Sequence, residues 1–221
     1  MTAVLTDVTG HSRPFPGPAG EAAVLVVDPQ RDFGAPERLP GSVPGVRDRI
    51  DAALAGTRLL VDRARAAGVR VVWARLVQDP DDPWDASRWL RGLSGLPPKQ
   101  AAAREPCLAG TPGVEWYGVH PRKGEDVVDK RRYSAFHGTG LADLLRSVGV
   151  SWLVVCGLTT DCCIDATARD AFQHGFRVVV AADAVGTYEQ ARQETALAGL
   201  ARHCAVVATV DAVTGPWKAE G

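Results

Sequence analysis

The chain has 221 residues, of which 46% are hydrophobic and 23% charged, and its formal net charge is -1 at pH 7. This length predicts one domain with a sizeable core. The near-neutral net charge argues against nucleic acid as a binding partner. No stretch approaches the roughly 18 to 20 apolar residues that a membrane span requires. Five cysteines, two of them adjacent, do not resemble a disulfide framework. We therefore expect a soluble protein with free thiols and no membrane or nucleic-acid partner.

The first 20 residues contain three prolines and three glycines and show no apolar period. We interpret them as a flexible N-terminal arm, followed by a single domain over residues 21–221. Because the N-terminus lacks a basic flank followed by an apolar core, no signal peptide is visible, and a cytoplasmic location is expected.

The domain alternates between predicted strands and helices. Residues 22–28 (AAVLVVD) form a valine-rich apolar run that is typical of a strand buried on both faces, and the run stops at Asp28 before a proline. Further strands are predicted at 69–77, weakly around 127–128, and at 152–157, 176–182 and 204–210, with helices at 46–67, 139–148, 161–174 and 188–202. This alternation indicates an α/β fold, a parallel sheet with helices on both sides.

The stretch from about residue 78 to 123 interrupts the alternation. It contains Trp84, Trp89 and Trp116 and several prolines, but no clear strand. Long loops inside a domain often serve as lids or binding loops. The alternatives are a packed surface excursion or a subunit contact, and the sequence leaves them open.

Ligands of open parallel sheets bind beyond the carboxyl ends of the strands. Asp28 follows the first strand, Arg75 lies in the second, Lys130 follows the weak strand, and Cys162 and Cys163 begin the helix after WLVVCG. Each has a structural alternative: Asp28 could cap a turn, Lys130 could be a solvated lysine, and Arg75 could pair with the acidic segment DPDDPWD. That acidic segment lacks the oxygen spacing of a calcium loop and is interpreted as a solvated loop.

Cys163 is the most informative residue of this set. At a helix N-terminus, unpaired N–H groups and the helix dipole favour the thiolate, and a nearby Lys130 would favour it further. The same N–H groups could hold the oxyanion that forms when a thiolate attacks a carbonyl. The alternative is an inert buried thiol, as most free cysteines are.

Metal and nucleotide motifs are absent from the sequence. The five histidines are scattered, the adjacent cysteines do not have zinc spacing, and neither GxGxxG nor GxxxxGK[ST] occurs. We therefore expect no metal and no cofactor.

Three motifs resemble the isochorismatase-like cysteine hydrolases: VVDPQRDF at 26–33, VVDKRRYSAF at 127–136 and CGLTTDCCIDATARDA at 156–171. The resemblance extends over about residues 22–210, and its most specific part is the nucleophile segment. It implies a three-layer α/β/α sandwich, a Rossmann-like fold whose six-stranded parallel sheet has the order 3-2-1-4-5-6. That order would place the first and fourth strands side by side.

The resemblance also assigns roles to residues. The family's aspartate, lysine and cysteine fall on Asp28, Lys130 and Cys163, and its cis non-proline peptide falls on the bond between Thr159 and Thr160. The N–H groups of Thr160 and Cys163 would then form an oxyanion hole. Members of the family are commonly homo-oligomers, dimers or tetramers.

The sequence also narrows the branch of the family. Metal-dependent nicotinamidases usually carry histidines after the second strand, whereas this chain reads VVWARLVQDPDDPW. Members of the family that hydrolyse the isochorismate vinyl ether generally do not use a cysteine nucleophile, so Cys163 argues for amide chemistry. The chain most resembles metal-free amidohydrolases, similar to N-carbamoylsarcosine amidase and to ureidoacrylate and biuret amidohydrolases. A small amide, carbamoyl or ureido compound is the implied substrate.

Other interpretations stay open at this point. A nicotinamidase-like amidase, a vinyl-ether hydrolase, a thiol-pair sensor built on Cys162 and Cys163, and a non-catalytic subunit are the alternatives. For the pocket, we expect Phe33 and Tyr133 to form walls and Arg75 to bind a substrate carboxylate.

Overall fold

A computed structural model describes residues 4 to 219, which fold around a parallel sheet with helices on both faces. The strands are β1 (Val4–Thr6), β2 (Ser12–Pro14), β3 (Ala22–Val27), β4 (Arg70–Leu76), β5 (Asp126–Lys130), β6 (Trp152–Leu158), β7 (Arg177–Gly186) and β8 (Val206–Ala208). The helices are α1 (Arg31–Gly34), α2 (Val46–Ala66), α3 (Asp85–Leu90), α4 (Pro98–Ala102), α5 (Leu141–Ser147), α6 (Asp165–Gln173), α7 (Gln190–His203) and α8 (Val210–Thr214).

The main sheet has the strand order β5-β4-β3-β6-β7-β8, with all neighbours parallel. Counted within this sheet alone, the order is 3-2-1-4-5-6, which confirms the prediction. β3 lies at the centre, paired with β4 on one side and β6 on the other. The connection after β3 leads towards one edge of the sheet, and the connection after β6 leads towards the other edge. A crevice therefore opens between the carboxyl ends of β3 and β6.

The two faces of the sheet carry two separate cores. Alternate residues of β3 point to opposite faces: Leu25 packs with residues of α5, α6 and α7, whereas Val24 and Val26 pack with residues of α2 and α8. All six residues of β3 are buried. This burial on both faces explains the continuous apolar run, and it makes the fold the predicted three-layer sandwich.

Two predictions about the chain ends need correction. From residue 4 onward the N-terminal segment is folded and is not a loose arm: β1 and β2 form a hairpin, Leu5 is fully buried, and Phe15 packs edge-on against Trp152. Apolar side chains in this segment find partners on the domain, which proline and glycine content alone does not reveal. The last strand, predicted over 204–210, covers only Val206–Ala208. It ends there because the Thr209 hydroxyl accepts a hydrogen bond from the Ala212 N–H and caps α8.

The excursion between β4 and β5 contains α3 and α4, and its second half packs over the end of β3. The N–H of Tyr117 donates to the carbonyl of Pro29, and the N–H of Arg31 donates to the carbonyl of Glu115. The excursion therefore covers the carboxyl end of the central strand. Of the helices in the described part of the chain, none combines the length and the apolar character that crossing a membrane would require.

Candidate active site

Three of the predicted side chains meet at the carboxyl edge of the sheet. Asp28 follows β3, Lys130 is the last residue of β5, and Cys163 lies in the first helical turn after β6. Lys130 Nζ lies 2.7 Å from Asp28 Oδ2 and 3.5 Å from Cys163 Sγ. Asp28 and Lys130 are completely buried, and Cys163 is 4% exposed. A solvated lysine is therefore excluded for Lys130.

A sharp turn of the backbone places the Asp28 carboxylate. The residue has φ = 50°, a left-handed conformation that aspartate tolerates better than most residues. Its N–H donates to the carbonyl of Ala74, and its own carbonyl accepts from the Gln30 N–H. The chain thus leaves the sheet abruptly and leaves the side chain at the strand end.

Gly157 permits the close approach of β6 to this turn. It lies opposite Val27 in the sheet register and has φ = 114°. A Cβ atom at this position would lie 2.0 Å from the Val27 carbonyl oxygen. Only glycine fits here, so the strands that carry Asp28 and the cysteine turn can end side by side.

The cysteine turn corrects one prediction. The cis non-proline peptide joins Leu158 to Thr159, one bond earlier than the predicted bond between Thr159 and Thr160. The helical turn already begins at Thr160 and runs to Ile164 with a wide, π-type geometry, so the change of direction falls on the last residue of β6. The Thr159 carbonyl accepts hydrogen bonds from the N–H groups of Cys162 and Ile164.

The electrostatics of the group favour a proton-transfer role. Burial raises the pKa of Asp28 above its ordinary value, while Lys130 and Cys163 oppose that rise. Burial also opposes the charge on Lys130, but the attraction of Asp28 and of the Cys163 sulfur outweighs it and raises the pKa of Lys130. Asp28 Oδ2 lies 2.7 Å from the Lys130 ammonium, and the Cys163 side chain is a further hydrogen-bond partner of the carboxylate, so Asp28 is placed to accept the thiol proton.

The state of the cysteine differs from the expectation for a helix N-terminus. The Cys162 side chain, burial and the negative charge of Asp28 together raise the pKa of Cys163 well above its ordinary value, although Lys130 opposes them. This direction favours the thiol form of Cys163, because the Cys162 side chain, burial and the charge of Asp28 together outweigh Lys130. A nucleophilic Cys163 needs a base, and Asp28 is the carboxylate beside it.

A cleft of about 330 Å³ opens above Cys163. It is lined by side chains from the strand ends, the excursion and the start of α7: Asp32, Phe33, Leu76, Arg91, Pro106, Tyr133, Thr159, Asp161, Cys162, Cys163, Thr187, Tyr188, Glu189 and Arg192. Phe33 and Tyr133, for which we expected a place in the pocket wall, are among these residues. The volume suits a small molecule.

Arg75 does not line this cleft. Its guanidinium pairs with Asp129 through two hydrogen bonds of 2.6 and 3.2 Å and lies 5.6 Å from the centre of the Trp116 ring. It is not the partner of the acidic segment either, since Arg131 holds Asp79 and Asp82. Arg75 lies on the strand face that points away from the site, because successive residues of β4 alternate between faces.

The sequence did not single out two residues that shape the site. Gln30 is buried: its amide nitrogen donates to the carbonyls of Leu76 and Val114, and its amide oxygen accepts from the Leu76 N–H. It therefore joins the Asp28 turn to the end of β4 and to the excursion. Arg91 enters the cleft from the end of α3. The signal for Gln30 was its place in the motif VVDPQRDF; Arg91 carried no signal.

Within residues 4 to 219, no group of three or more histidine, cysteine, aspartate or glutamate side chains is arranged to hold a metal ion. The site as described consists of one carboxylate, one ammonium and one thiol beneath a small cleft. Such a set can deprotonate a nucleophile and stabilise the charge that develops.

Comparison with curated proteins finds amidohydrolases and a related hydrolase. The chain is 34% identical over 165 residues to maleamate amidohydrolase of Pseudomonas putida, with 74% of this chain and 71% of the relative covered. It is 37% identical over 169 residues to streptothricin hydrolase of Streptomyces noursei, covering 76% and 55%. It is 30% identical over 176 residues to ureidoacrylate amidohydrolase of Azorhizobium caulinodans, covering 74% and 75%.

Solved structures and a family comparison agree with this result. A cysteine hydrolase from Pseudomonas syringae pv. phaseolicola superimposes with a TM-score of 0.77 at 26% identity, covering 95% of this chain and 99% of that one. The isochorismatase domain matches residues 22–212, nearly the whole region from β3 to α8. The chain belongs to the isochorismatase family.

Proposed function

We propose that the protein is a cysteine-dependent hydrolase that cleaves a non-peptide C–N bond of a small amide, carbamoyl or ureido compound. The observation that carries this proposal is the buried contact of Lys130 with both Asp28 and Cys163 beneath the cleft. A structural lysine would require only the ion pair. The second contact of Lys130, with the sulfur of Cys163, supports a role for Lys130 in stabilising the thiolate.

Asp28 is the proposed general base. It takes the proton of the Cys163 thiol, and the sulfur forms a bond to the substrate carbonyl carbon while the C=O electron pair moves onto oxygen. Lys130 remains protonated and balances the negative charge of the pair. The raised pKa of Asp28 suits this step, because a more basic carboxylate accepts the proton more readily.

The backbone N–H groups of Thr159 and Cys163 are the proposed oxyanion donors, because the cis bond lies directly before Thr159 and because Thr159 lines the cleft, whereas the predicted Thr160 does not. When the tetrahedral intermediate collapses, the C–N bond breaks and Asp28 returns its proton to the leaving nitrogen, so that ammonia or an amine departs. The remaining thioester is hydrolysed by water that Asp28 deprotonates. The acid leaves, and the thiol regains its proton. No cofactor enters this sequence.

The relatives support the same chemistry. Two of them are named for hydrolysis of maleamate and ureidoacrylate, an amide and a ureido compound. Their names describe those proteins, and they make C–N hydrolysis at this site the first activity to test.

The test is ammonia release from a panel of small amides, carbamoyl compounds and ureido acids. Cys163→Ala is expected to reduce turnover by at least a thousandfold, because no nucleophile remains to form the thioester. Cys162→Ala is the matched control: it removes the neighbouring thiol and is expected to keep most of the activity. An active Cys163→Ala enzyme would refute the proposed nucleophile. If Cys162→Ala were inactive at the same time, the role of nucleophile would move to Cys162.

We also propose a homo-oligomer that works in the cytoplasm. Trp89 and Leu90 of α3 are 73% and 70% exposed, an apolar pair that a second copy could cover. All five cysteines are free thiols, which suits a reducing compartment. Sedimentation velocity of the wild type and of Leu90→Asp tests the oligomer: a wild-type monomer would contradict it.

A further inference from the structure

Arg91 presents an unpaired guanidinium to the cleft. Its Nε donates to the Ser87 hydroxyl at 3.2 Å, and its backbone N–H donates to the Ser87 carbonyl. No acidic side chain among residues 4 to 219 lies within ion-pair distance of this guanidinium. Because Nε is occupied, the two terminal nitrogen groups are the part of Arg91 that is available to a ligand.

Helix α3, which ends directly before Arg91, is held against the body of the protein. Arg88 on α3 makes two hydrogen bonds to the buried carboxylate of Glu105, at 2.6 and 2.9 Å, and Ser87 is itself buried. Glu105 lies two residues before Cys107, whose N–H donates to Asp32 in the cleft wall. The ion pair between Arg88 and Glu105 therefore holds the end of α3 on the body of the site, while the Arg91 side chain itself is exposed and is held by its hydrogen bond to Ser87.

The other charges of the cleft already have partners. Asp32 pairs with Arg38 at 2.6 Å. Arg192 pairs with Glu189 at 3.1 Å and lies 3.8 Å from Asp161. The acidic side chains are therefore balanced locally, and Arg91 is the cation of this cleft that lacks a counter-charge within the described residues.

We propose that Arg91 binds a carboxylate of the substrate, so that the enzyme selects amides whose other end is a free carboxylate. This inference rests on the proposed function, since it assumes that the scissile carbonyl lies at Cys163. The planar guanidinium can donate two parallel hydrogen bonds to a carboxylate, whereas a neutral amide at the same place leaves its charge uncompensated. The cleft of about 330 Å³ that holds both groups restricts the acid to a short chain.

The kinetic test compares the monoamide of a four-carbon dicarboxylic acid with the corresponding diamide. The wild type is expected to prefer the monoamide by at least tenfold in kcat/KM. Arg91→Gln is expected to lower kcat/KM for the monoamide at least tenfold, chiefly by raising KM, with a much smaller loss for the diamide. Arg91→Lys keeps the charge but not the planar fork and should fall between the two.

Arg104→Gln is the control. Arg104 lines a neighbouring cleft together with Arg91 but does not line the cleft above Cys163. Removing its charge should leave the preference for the monoamide unchanged. An equal loss of kcat/KM for the monoamide in Arg91→Gln and Arg104→Gln would indicate a general electrostatic effect of positive charge. It would overturn the assignment of the carboxylate site to Arg91.

A binding measurement separates this inference from the proposed function. In a Cys163→Ala background, which prevents turnover, calorimetry measures the affinity for a four-carbon dicarboxylate with and without Arg91→Gln. Affinity that falls at least tenfold supports the carboxylate site, even if the amide panel shows no turnover. Unchanged or absent dicarboxylate binding overturns it, even if Cys163-dependent hydrolysis of neutral amides is observed.

Discussion

Two ion pairs lie near each other at the carboxyl edge of the sheet, one between Asp28 after β3 and Lys130 of β5, the other between Arg75 of β4 and Asp129 of β5. Asp28 and Lys130 are completely buried, whereas Arg75 and Asp129 are 31% and 50% exposed in their side chains. Asp129 and Lys130 are neighbours in the chain, but successive residues of a strand point to opposite faces. One pair is therefore enclosed beneath the cleft, and the other is solvated.

The comparison shows that a position at the strand end is not sufficient to place a residue in the site. Arg75 and Lys130 have the same charge and lie one residue apart in the sheet register, where Arg75 opposes Asp129 and Leu76 opposes Lys130. The face of the strand decides which cation meets Cys163. Burial then decides the energetics, because a charge pair away from water responds strongly to the loss of either member.

The largest effect is expected from Lys130→Ala. It leaves the Asp28 carboxylate buried without a counter-charge, which typically costs about 3–5 kcal/mol of stability, and it removes the cation beside Cys163. Turnover should be lost, while the fold persists if the protein is ordinarily stable. Urea denaturation together with ammonia release measures both effects. A Lys130→Ala enzyme with near-normal kcat would break the proposed mechanism.

A double variant sharpens this result. Asp28→Asn combined with Lys130→Met removes both charges, so much of the stability lost in Lys130→Ala should return, but the activity should not. Recovery of stability without activity would show that the buried pair is kept for chemistry.

The next effect concerns the pH dependence of kcat/KM. Asp28 must be ionised to accept the thiol proton, and burial raises its pKa. Activity should therefore be full above that raised pKa and lost as the pH falls through it, with a midpoint above the ordinary aspartate value of about 3.9. A pH series on the best substrate measures this midpoint, and activity that stays constant down to pH 4 would contradict the role of Asp28.

Stability should depend on pH in the opposite direction. Because the pKa of Asp28 is higher in the folded than in the unfolded chain, its protonated form stabilises the fold. That contribution is fully present below the unfolded value of about 3.9 and is lost as the pH rises through the folded pKa. Denaturation of the wild type and Asp28→Asn across this range should show the dependence in the wild type alone.

The smallest effect is expected from Arg75→Ala. Exposed ion pairs typically contribute about 0–1 kcal/mol, so unfolding should change within that range, and kcat and KM should stay close to those of the wild type. The same two measurements as for Lys130→Ala make the comparison direct. A large rise in KM for an acidic substrate would show that Arg75 reaches the site after all.

Much of the fold could be predicted because its signals are local. The apolar run of β3 is buried on both faces, and the helical period of α2 persists over 21 residues, so each element could be recognised without its neighbours. The strand order, in contrast, came from the resemblance of three motifs to a known family. Periodicity carries no information on which strands pair.

The errors concern contacts over long distances. Leu5 is buried because the domain offers it an apolar surface, and a composition rich in proline and glycine cannot reveal that surface. The raised pKa of Cys163 depends on the adjacent Cys162 side chain, and also on burial and on Asp28, which lies 135 positions earlier in the chain. Its position in the helical turn predicted the opposite direction, because the burial and the Asp28 contact arise only from packing.

The sequence by itself determined the elements of an α/β fold and three chemical groups suited to amide hydrolysis, because residue types and their spacing are local properties. The tertiary structure alone decided which cations lie at the cleft or directly beneath it. Lys130 lies beneath the cleft in contact with Cys163 because β5 ends there with that residue facing inward, and Arg91 lines the cleft because Arg88 and Glu105 hold α3 against the site. Burial and proximity, which set the charge and reactivity of these groups, arise only when distant segments pack together.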